Sequence, residues 1–269
     1  EQVNGWLNVA RHLFWRDSFQ GFWPPEMGFC MEMIPFLKAN GFRYVLVDSE
    51  HVEPVTPMRW QDIRYRPHAA RFDGEEITVI VRDRDLSNAQ ESGMDFGWFH
   101  HEVMQRTKWC DFPPLVTTCT DGDNGGWFRN TSSHGNFWGV FYKDYLQGAR
   151  CNAHPIRPVF IDDYLNLFGT FGEVRLRTGA WNTGWHDGNE FVQWQGSNRQ
   201  RDALKRVHMV SQKVWRMRHT LANSPHYDTQ SALDAALRHL LRAETSCNFY
   251  WGEAWVDRCH AELDRTLRL

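Results

Sequence analysis

The amino-acid sequence predicts an α/β protein that ends in a helical region. Helix-like and strand-like segments alternate from the start of the chain to about residue 120, and the last seventy residues carry the apolar stripes of amphipathic helices. Such alternation favours a parallel sheet or barrel, because helical crossovers connect parallel strands. Polar residues also follow each predicted strand, which suits a site at one end of the sheet.

The predicted elements follow this order along the chain. An amphipathic helix comes first, and a second helix covers about 31–39. Strands are predicted near 20–23 and at 44–47, 77–81 and 115–119, from their apolar and β-branched residues. Residues 125–200 are rich in Gly, Asn and Trp with weak periodicity, so we expect long loops with short strands there.

Charged side chains come directly after each predicted strand. They are Glu26 after the first, Asp48, Glu50 and His51 after the second, Arg82 to Asp85 after the third, and Asp121 with Asp123 after the fourth. Because parallel strands bring their carboxyl ends to one face, we expect these groups to converge. Asp48, Glu50 and His51 either bind hydroxyl groups or brace a neighbouring acid, and of Arg82 and Arg84 only Arg82 is expected to point inward.

Composition excludes several classes of partner. With 30 basic and 33 acidic residues the net charge is −3, which does not attract nucleic acid or an anionic membrane, and no apolar run approaches membrane-spanning length. The six cysteines are scattered, which favours a reducing compartment, the cytoplasm. His51, His100 and His101 lack the H-x3-H spacing of a metal-dependent deacetylase, so we expect neither metal nor cofactor. The 14 tryptophans suit either a sugar-stacking surface or a core.

Glu26 is the first candidate for chemistry. It follows Trp23-Pro24-Pro25, where two prolines fix the backbone and remove local N–H donors, so the carboxylate is predicted to sit on a stiff turn. The alternative is an ordinary acidic residue near the N-terminus of the next helix, where the helix dipole favours a negative charge.

Asp121 is the second candidate. It lies between a β-branched strand and the Gly-rich stretch 122–126, which lets the backbone approach a ligand closely. Two neighbouring acids push their pKa values apart, so that one carboxyl can stay protonated. Cleavage of a glycosidic bond with retention uses such a pair, roughly 5 Å apart. The alternative is an Asx turn that merely ends a strand.

These residues resemble the motifs of glycoside hydrolase family 57, and the resemblance extends over essentially the whole chain. Trp23-Pro24-Pro25-Glu26 is similar to the motif that carries the nucleophile, and 120–127, beginning Thr-Asp-Gly-Asp, to the motif that carries the acid/base. Residues 82–87 resemble the family's arginine- and acid-rich strand end. Gly179-Ala180-Trp181 with Trp185 and His186 resembles its Trp-Gly-rich loop, and 241–252 resembles its fifth motif.

The resemblance implies a retaining enzyme that acts on an α-1,4-glucan or maltooligosaccharide by double displacement, with Glu26 as nucleophile and Asp121 as acid/base. It implies part of an irregular (β/α)7 barrel over residues 1–200, with active-site loops, and a helical region over 201–269 that packs on it. Hydrolysis, glucan transfer and branching all stay open. The residues expected to bind substrate are Trp23, His51, Arg82, Asp123, Trp127, Trp185, His186 and Trp251.

The chain departs from the family pattern in three places. Thr120 stands where the family has an aromatic residue, and Cys247 where many members have an aspartate. The His-Gln-Pro motif of the first barrel strand does not occur in these 269 residues. Because an open half-barrel would expose strand edges, we expect a second polypeptide to supply the N-terminal half. A homo-oligomer and a non-catalytic glucan-binding or regulatory subunit stay open.

Overall fold

The computed structural model describes residues 2–121, 135–183, 190–221 and 227–269. Its chain divides into two compact units. The first is Phe19–Trp181, which contains the sheets, and the second combines Glu1–Ser18 with Asn182–Leu269, which is helical. The predicted α/β class and the helical C-terminal region are thus confirmed. Asp123, Trp127, Trp185 and His186 lie outside the described residues.

Six strands occur among the described residues, all in the unit Phe19–Trp181. They are β1 Gly21–Phe22, β2 Tyr44–Asp48, β3 Val52–Pro54, β4 His68–Phe72, β5 Glu75–Arg82 and β6 Val174–Leu176. The larger sheet has the order β1-β2-β5-β4, in which β1, β2 and β5 run parallel and β4 is antiparallel to β5. A second sheet pairs β3 with β6 in antiparallel fashion.

The predicted strand over 115–119 was wrong in extent. It is reduced to one parallel bridge, between Thr117 and Arg82. The cause lies in β4, which occupies that edge of β5 as far as the pair His68 and Val79. Only the last residues of β5 are therefore left for the segment that leads to Asp121.

The hairpin between β4 and β5 was not predicted. Asp73 and Gly74 form its two-residue loop, with φ of 49° and 79°. Two consecutive residues with positive φ are what a type I′ turn requires, and Asp-Gly is among its preferred sequences.

Among its described residues the unit Phe19–Trp181 also contains six α-helices, and several of them pack on the larger sheet. They are α2 Met33–Ala39, α3 Trp60–Tyr65, α4 Arg84–Glu91, α5 Phe96–Thr107, α6 Lys143–Arg150 and α7 Ile161–Phe168. Tyr164 and Leu165 of α7 pack with Ile80 of β5, and α2 buries Ile34 and Leu37 completely. Strands covered on both faces have nearly continuous apolar sequences, as β2 and β5 do.

The helical unit has a core of its own. Its helices are α1 Gln2–Phe14, α8 Val192–Gln195, α9 Asn198–Leu221, α10 Tyr227–Ala243, α11 Cys247–Tyr250 and α12 Val256–Arg268. Val210 and Val214 of α9, Leu240 of α10 and Leu263 of α12 belong to one buried apolar cluster. Within the described ranges no helix is both long and apolar enough to span a membrane.

The turn at Gly74 gives a stability prediction. A Cβ at this position meets no atom within 4 Å, so a substitution acts through the positive φ alone. We expect Gly74→Ala to lower the free energy of unfolding by about 1 kcal/mol. Gly97→Ala is the control, because Gly97 lies in α5 and its Cβ would make only an ordinary 3.4 Å contact with Asp95. Urea denaturation of both variants checks this, and equal stability of the two would contradict it.

Candidate active site

Glu26 sits on a tight turn whose backbone is strained. Pro25–Met27 form a single 3-10 turn, in which Glu26 has φ 55° and Met27 has φ 50°. Two consecutive non-glycine residues in the left-handed region cost about 1 kcal/mol each or more. The turn persists because Met27 is fully buried and because its N–H and that of Gly28 bond the carbonyls of the preceding prolines, both at 2.9 Å.

Hydrogen bonds join the segment 179–181 to this turn and to Phe29, which follows it. Phe29 and Gly179 exchange two backbone hydrogen bonds, of 2.8 and 3.0 Å. The Trp181 N–H donates to the Glu26 carbonyl over 3.1 Å. The Trp181 indole Nε1–H then donates to Glu26 Oε2 over 2.6 Å, a bond that joins residues 155 positions apart.

Burial and charge act in opposite directions on Glu26. Partial burial raises the pKa of this carboxyl, and the negative charge of Asp121 raises it further, while the hydrogen bond from Trp181 lowers it. Because the Asp121 charge acts on Glu26, the two predicted catalytic acids belong to one electrostatic neighbourhood.

Glu91, at the end of α4, is a third acid of this neighbourhood. Its pKa is raised by burial first and by Asp121 second, and Arg82 opposes the rise. Glu91 was not among the predicted site residues, because nothing in its local sequence distinguishes it from a surface glutamate on an amphipathic helix. Trp181 was not predicted as a site residue either, although it belongs to the Gly-Ala-Trp segment that resembles a family motif.

Arg82 is buried at the end of β5 and binds three parts of the unit. Only 2% of its surface is exposed. Its Nη1 donates to Asp48 Oδ2 over 2.6 Å, Nη2 to Asn88 Oδ1 over 2.9 Å, and Nε to the Cys119 carbonyl over 2.8 Å. The guanidinium carbon lies 5.3 Å from the centre of the Trp181 ring, within the range of a cation–π contact.

Asp48 is the anionic centre of the buried charges. It is fully buried, and its Oδ1 accepts from the Glu50 N–H over 3.1 Å and from Arg84 over 3.3 Å. Arg84 also pairs with the Glu50 carboxylate over 2.8 Å. Both arginines, rather than Arg82 alone, therefore point toward Asp48, which braces the strand ends.

The segment that precedes Asp121 is fixed by hydrogen bonds to the start of α4. The Asp83 N–H donates to the Thr117 carbonyl over 2.8 Å, and the Cys119 N–H donates to Ser87 Oγ over 3.1 Å. Ser87 Oγ in turn donates to the Asp83 carbonyl over 2.6 Å. Burial raises the pKa of the Cys119 thiol to about 12, which makes this cysteine a structural residue rather than a nucleophile.

His51 braces the segment that carries Trp181. It is almost fully buried, and its Nε2 lies 3.1 Å from the Ala180 carbonyl, to which it donates in the Nε2–H tautomer. No hydrogen-bond partner of Nδ1 is found within the described part of the chain.

The predicted tryptophans occupy different units. Trp23 is 45% exposed, and its ring meets the Trp181 ring edge-on at 6.3 Å. Trp251 lies in the helical unit and is 59% exposed. Across residues 2–121, 135–183, 190–221 and 227–269, no group of three or more His, Cys, Asp or Glu is arranged to hold a metal ion.

The family of the chain follows from comparison with known proteins. A family model described as glycosyl hydrolase family 57 matches residues 1–176, so the chain belongs to that family. No curated protein sequence matches the chain.

Three solved structures show the same fold at low sequence identity. The 4-α-glucanotransferase from Thermococcus litoralis superimposes with a TM-score of 0.66 at 17% identity, over 98% of this chain and 44% of its own. The family 57 branching enzyme from Thermococcus kodakaraensis has a TM-score of 0.69 at 12% identity, over 98% and 60%. An α-amylase from Thermotoga maritima has a TM-score of 0.69 at 12% identity, over 99% and 62%. The chain thus spans about half the length of these proteins.

The buried ion pair gives a second stability prediction. Asp48→Asn leaves the buried guanidinium of Arg82 without its counter-charge, so we expect the free energy of unfolding to fall by about 3 kcal/mol or more. Glu50→Gln is the matched control, because the Glu50 side chain is 41% exposed and its pair with Arg84 is worth less than about 1 kcal/mol. Chemical denaturation at neutral pH distinguishes the two, and similar losses would contradict the assignment.

Proposed function

We propose that this chain forms part of a retaining glycoside hydrolase or glucan transferase that acts on α-1,4-glucan. The observation that carries the proposal is the Glu26 carboxylate, presented from a strained turn, held by Trp181 and affected by the charge of Asp121. Membership of family 57 supports the reaction class. The names of the structural neighbours, which are a glucanotransferase, a branching enzyme and an amylase, support the substrate class.

The proposed mechanism is double displacement. Glu26 attacks the anomeric carbon while Asp121 gives its proton to the leaving oxygen, which produces a covalent glycosyl-enzyme. Asp121 then takes a proton from water or from a sugar hydroxyl, whose oxygen displaces Glu26. The cycle begins with Glu26 ionised and Asp121 protonated. The hydrogen bond from Trp181 lowers the pKa of Glu26 and so favours its ionised form.

The remaining predicted residues receive proposed roles from their surroundings. Trp23 exposes a ring beside the Glu26 turn and would stack on a glucose unit. Arg82 and His51 donate to protein groups, so their contribution to binding would come from holding Trp181 and the strand ends in place. Asp123, Trp127, Trp185, His186 and Trp251 keep their predicted roles as substrate contacts.

Catalytic variants test the proposal. Glu26→Gln should remove turnover of both maltooligosaccharides and α-maltosyl fluoride. Asp121→Asn should lose most activity on maltooligosaccharides but keep formation of the glycosyl-enzyme from the fluoride, because fluoride leaves without protonation. Proton NMR of the first products should show the α-anomer. Unchanged turnover in Glu26→Gln, or a β-anomer as first product, would refute the assignment.

A non-catalytic glucan-binding or regulatory subunit is the second candidate function. The observation in its favour is that the chain spans only 44–62% of the length of its structural neighbours. Calorimetric binding of maltoheptaose, with no turnover and no loss of affinity in Glu26→Gln, would favour this candidate.

The irregular (β/α)7 barrel, and the second polypeptide that completes it, are part of the proposal. We expect native mass spectrometry of the complex purified through this chain to give a mass above 31.7 kDa that includes a different polypeptide. Multiples of the chain mass alone would indicate a homo-oligomer and would contradict the second polypeptide.

A further inference from the structure

We propose that Trp181 is a positioning residue: its indole N–H holds Glu26 Oε2 and thereby selects Oε1 as the oxygen that attacks the sugar. The inference rests on the proposed function, in which Glu26 is the nucleophile. It goes beyond that function because it assigns the orientation of the nucleophile to one residue.

The backbone around Trp181 is anchored independently of its side chain. Gly179 is paired with Phe29 by two hydrogen bonds, and the Ala180 carbonyl accepts from His51. The Trp181 N–H bonds the Glu26 carbonyl. The indole is therefore delivered to the Glu26 carboxylate by main-chain contacts, which keeps its position fixed when Glu26 changes charge.

A neighbouring side chain also fixes the position of the indole ring. Arg82 lies against it at 5.3 Å from the ring centre and is itself bonded to Asp48, Asn88 and Cys119. Trp181 is almost fully buried and Glu26 is half-buried, so the bond between them is partly shielded from competing water.

The indole N–H distinguishes the two oxygens of the Glu26 carboxylate because it can only donate a hydrogen bond. An indole nitrogen donates a hydrogen bond and cannot accept one, so it favours a carboxylate oxygen that carries no proton. Among the described residues the only hydrogen bond to the Glu26 carboxylate is the one to Oε2. In the first step Oε1 would bond to the anomeric carbon as the leaving oxygen takes the Asp121 proton. Oε2 would become the carbonyl oxygen of the ester, still facing the indole.

The same hydrogen bond favours the ionised form of Glu26, whereas the surroundings of Glu26 favour its protonated form. Burial and Asp121 raise the pKa of Glu26, and the Trp181 bond is the opposing influence. Trp181 donates to the carboxylate and the charge of Asp121 acts on it, while Arg82 lies against the Trp181 ring and is paired with Asp48. Without the indole donor the pKa of Glu26 rises further, so the ionised form is lost at a higher pH.

An NMR titration tests the inference without relying on activity. In the full chain labelled with 15N in tryptophan, the Trp181 Nε1–H resonance should shift with the titration of Glu26, and this shift should vanish in Glu26→Gln. With 13C-labelled glutamate side chains, Trp181→Phe should move the Glu26 midpoint to higher pH. Trp98→Phe, an exposed tryptophan on α5, is the matched control and should leave the midpoint unchanged.

Enzyme kinetics provide a second test of the role of Trp181. At neutral pH, Trp181→Phe should lower kcat about tenfold or more with a smaller change in KM, and should move the acidic limb of the pH profile upward. An indole resonance that titrates identically in wild type and in Glu26→Gln would overturn the inference, and this comparison does not require Trp181→Phe to fold. An equal titration midpoint of Glu26 in Trp181→Phe and Trp98→Phe would also overturn it. Full activity of Glu26→Gln, by contrast, would refute the proposed function itself.

Discussion

The buried guanidinium of Arg82 is the contact on which the candidate site depends. It joins the end of β2 through Asp48, helix α4 through Asn88, and the segment before Asp121 through the Cys119 carbonyl. An unpaired charge in such a place would be very costly, so Asp48 and Arg82 stabilise each other only while the strand ends keep their places. The positions of both candidate acids follow from this constraint, since Trp181 packs against Arg82 and holds Glu26.

The site combines several features that do not favour stability. Glu26 and Met27 have strained backbone angles, and the Glu26 carboxyl is partly buried beside another acid. Such features persist at functional sites when the surrounding structure determines them. Here the conformation of the Glu26 turn is held by main-chain hydrogen bonds from the segment 179–181 and by the burial of Met27. An ordinary acidic residue near a helix N-terminus, which was the alternative for Glu26, would not need them.

The sequence predicted the parts of the fold that depend on local patterns. The apolar runs predicted the ends of β2 to within one residue and those of β5 to within two, because both faces of these strands are covered. The hairpin at Asp73-Gly74 carries a known turn signal and could have been found from it. The overextended strand at 115–119 could not have been corrected locally, because it is β4, a different segment, that occupies the edge of β5.

The two acids of the candidate site could be predicted from the sequence, but the residues that contact and position them could not. Two prolines before Glu26 and the Gly-rich stretch after Asp121 distinguish those positions in the sequence. The Trp181 bond to Glu26, by contrast, joins positions 155 residues apart. The raised pKa of Glu91 depends on the fold, which buries this carboxyl and brings the charge of Asp121 near it. Contacts of this kind depend on chain topology, which the residue types around each position do not encode.

In the proposed mechanism Glu26 forms a covalent bond to the sugar. An α-maltosyl fluoride with a second fluorine at C5 of the reacting glucose slows both chemical steps yet keeps a good leaving group, so a glycosyl-enzyme should accumulate. Peptide mapping by mass spectrometry should then find one maltosyl-sized addition on the peptide that contains Glu26, absent in Glu26→Gln. An addition on Asp121, or hydrolysis of the reagent without any labelled peptide, would show that Glu26 is not the nucleophile.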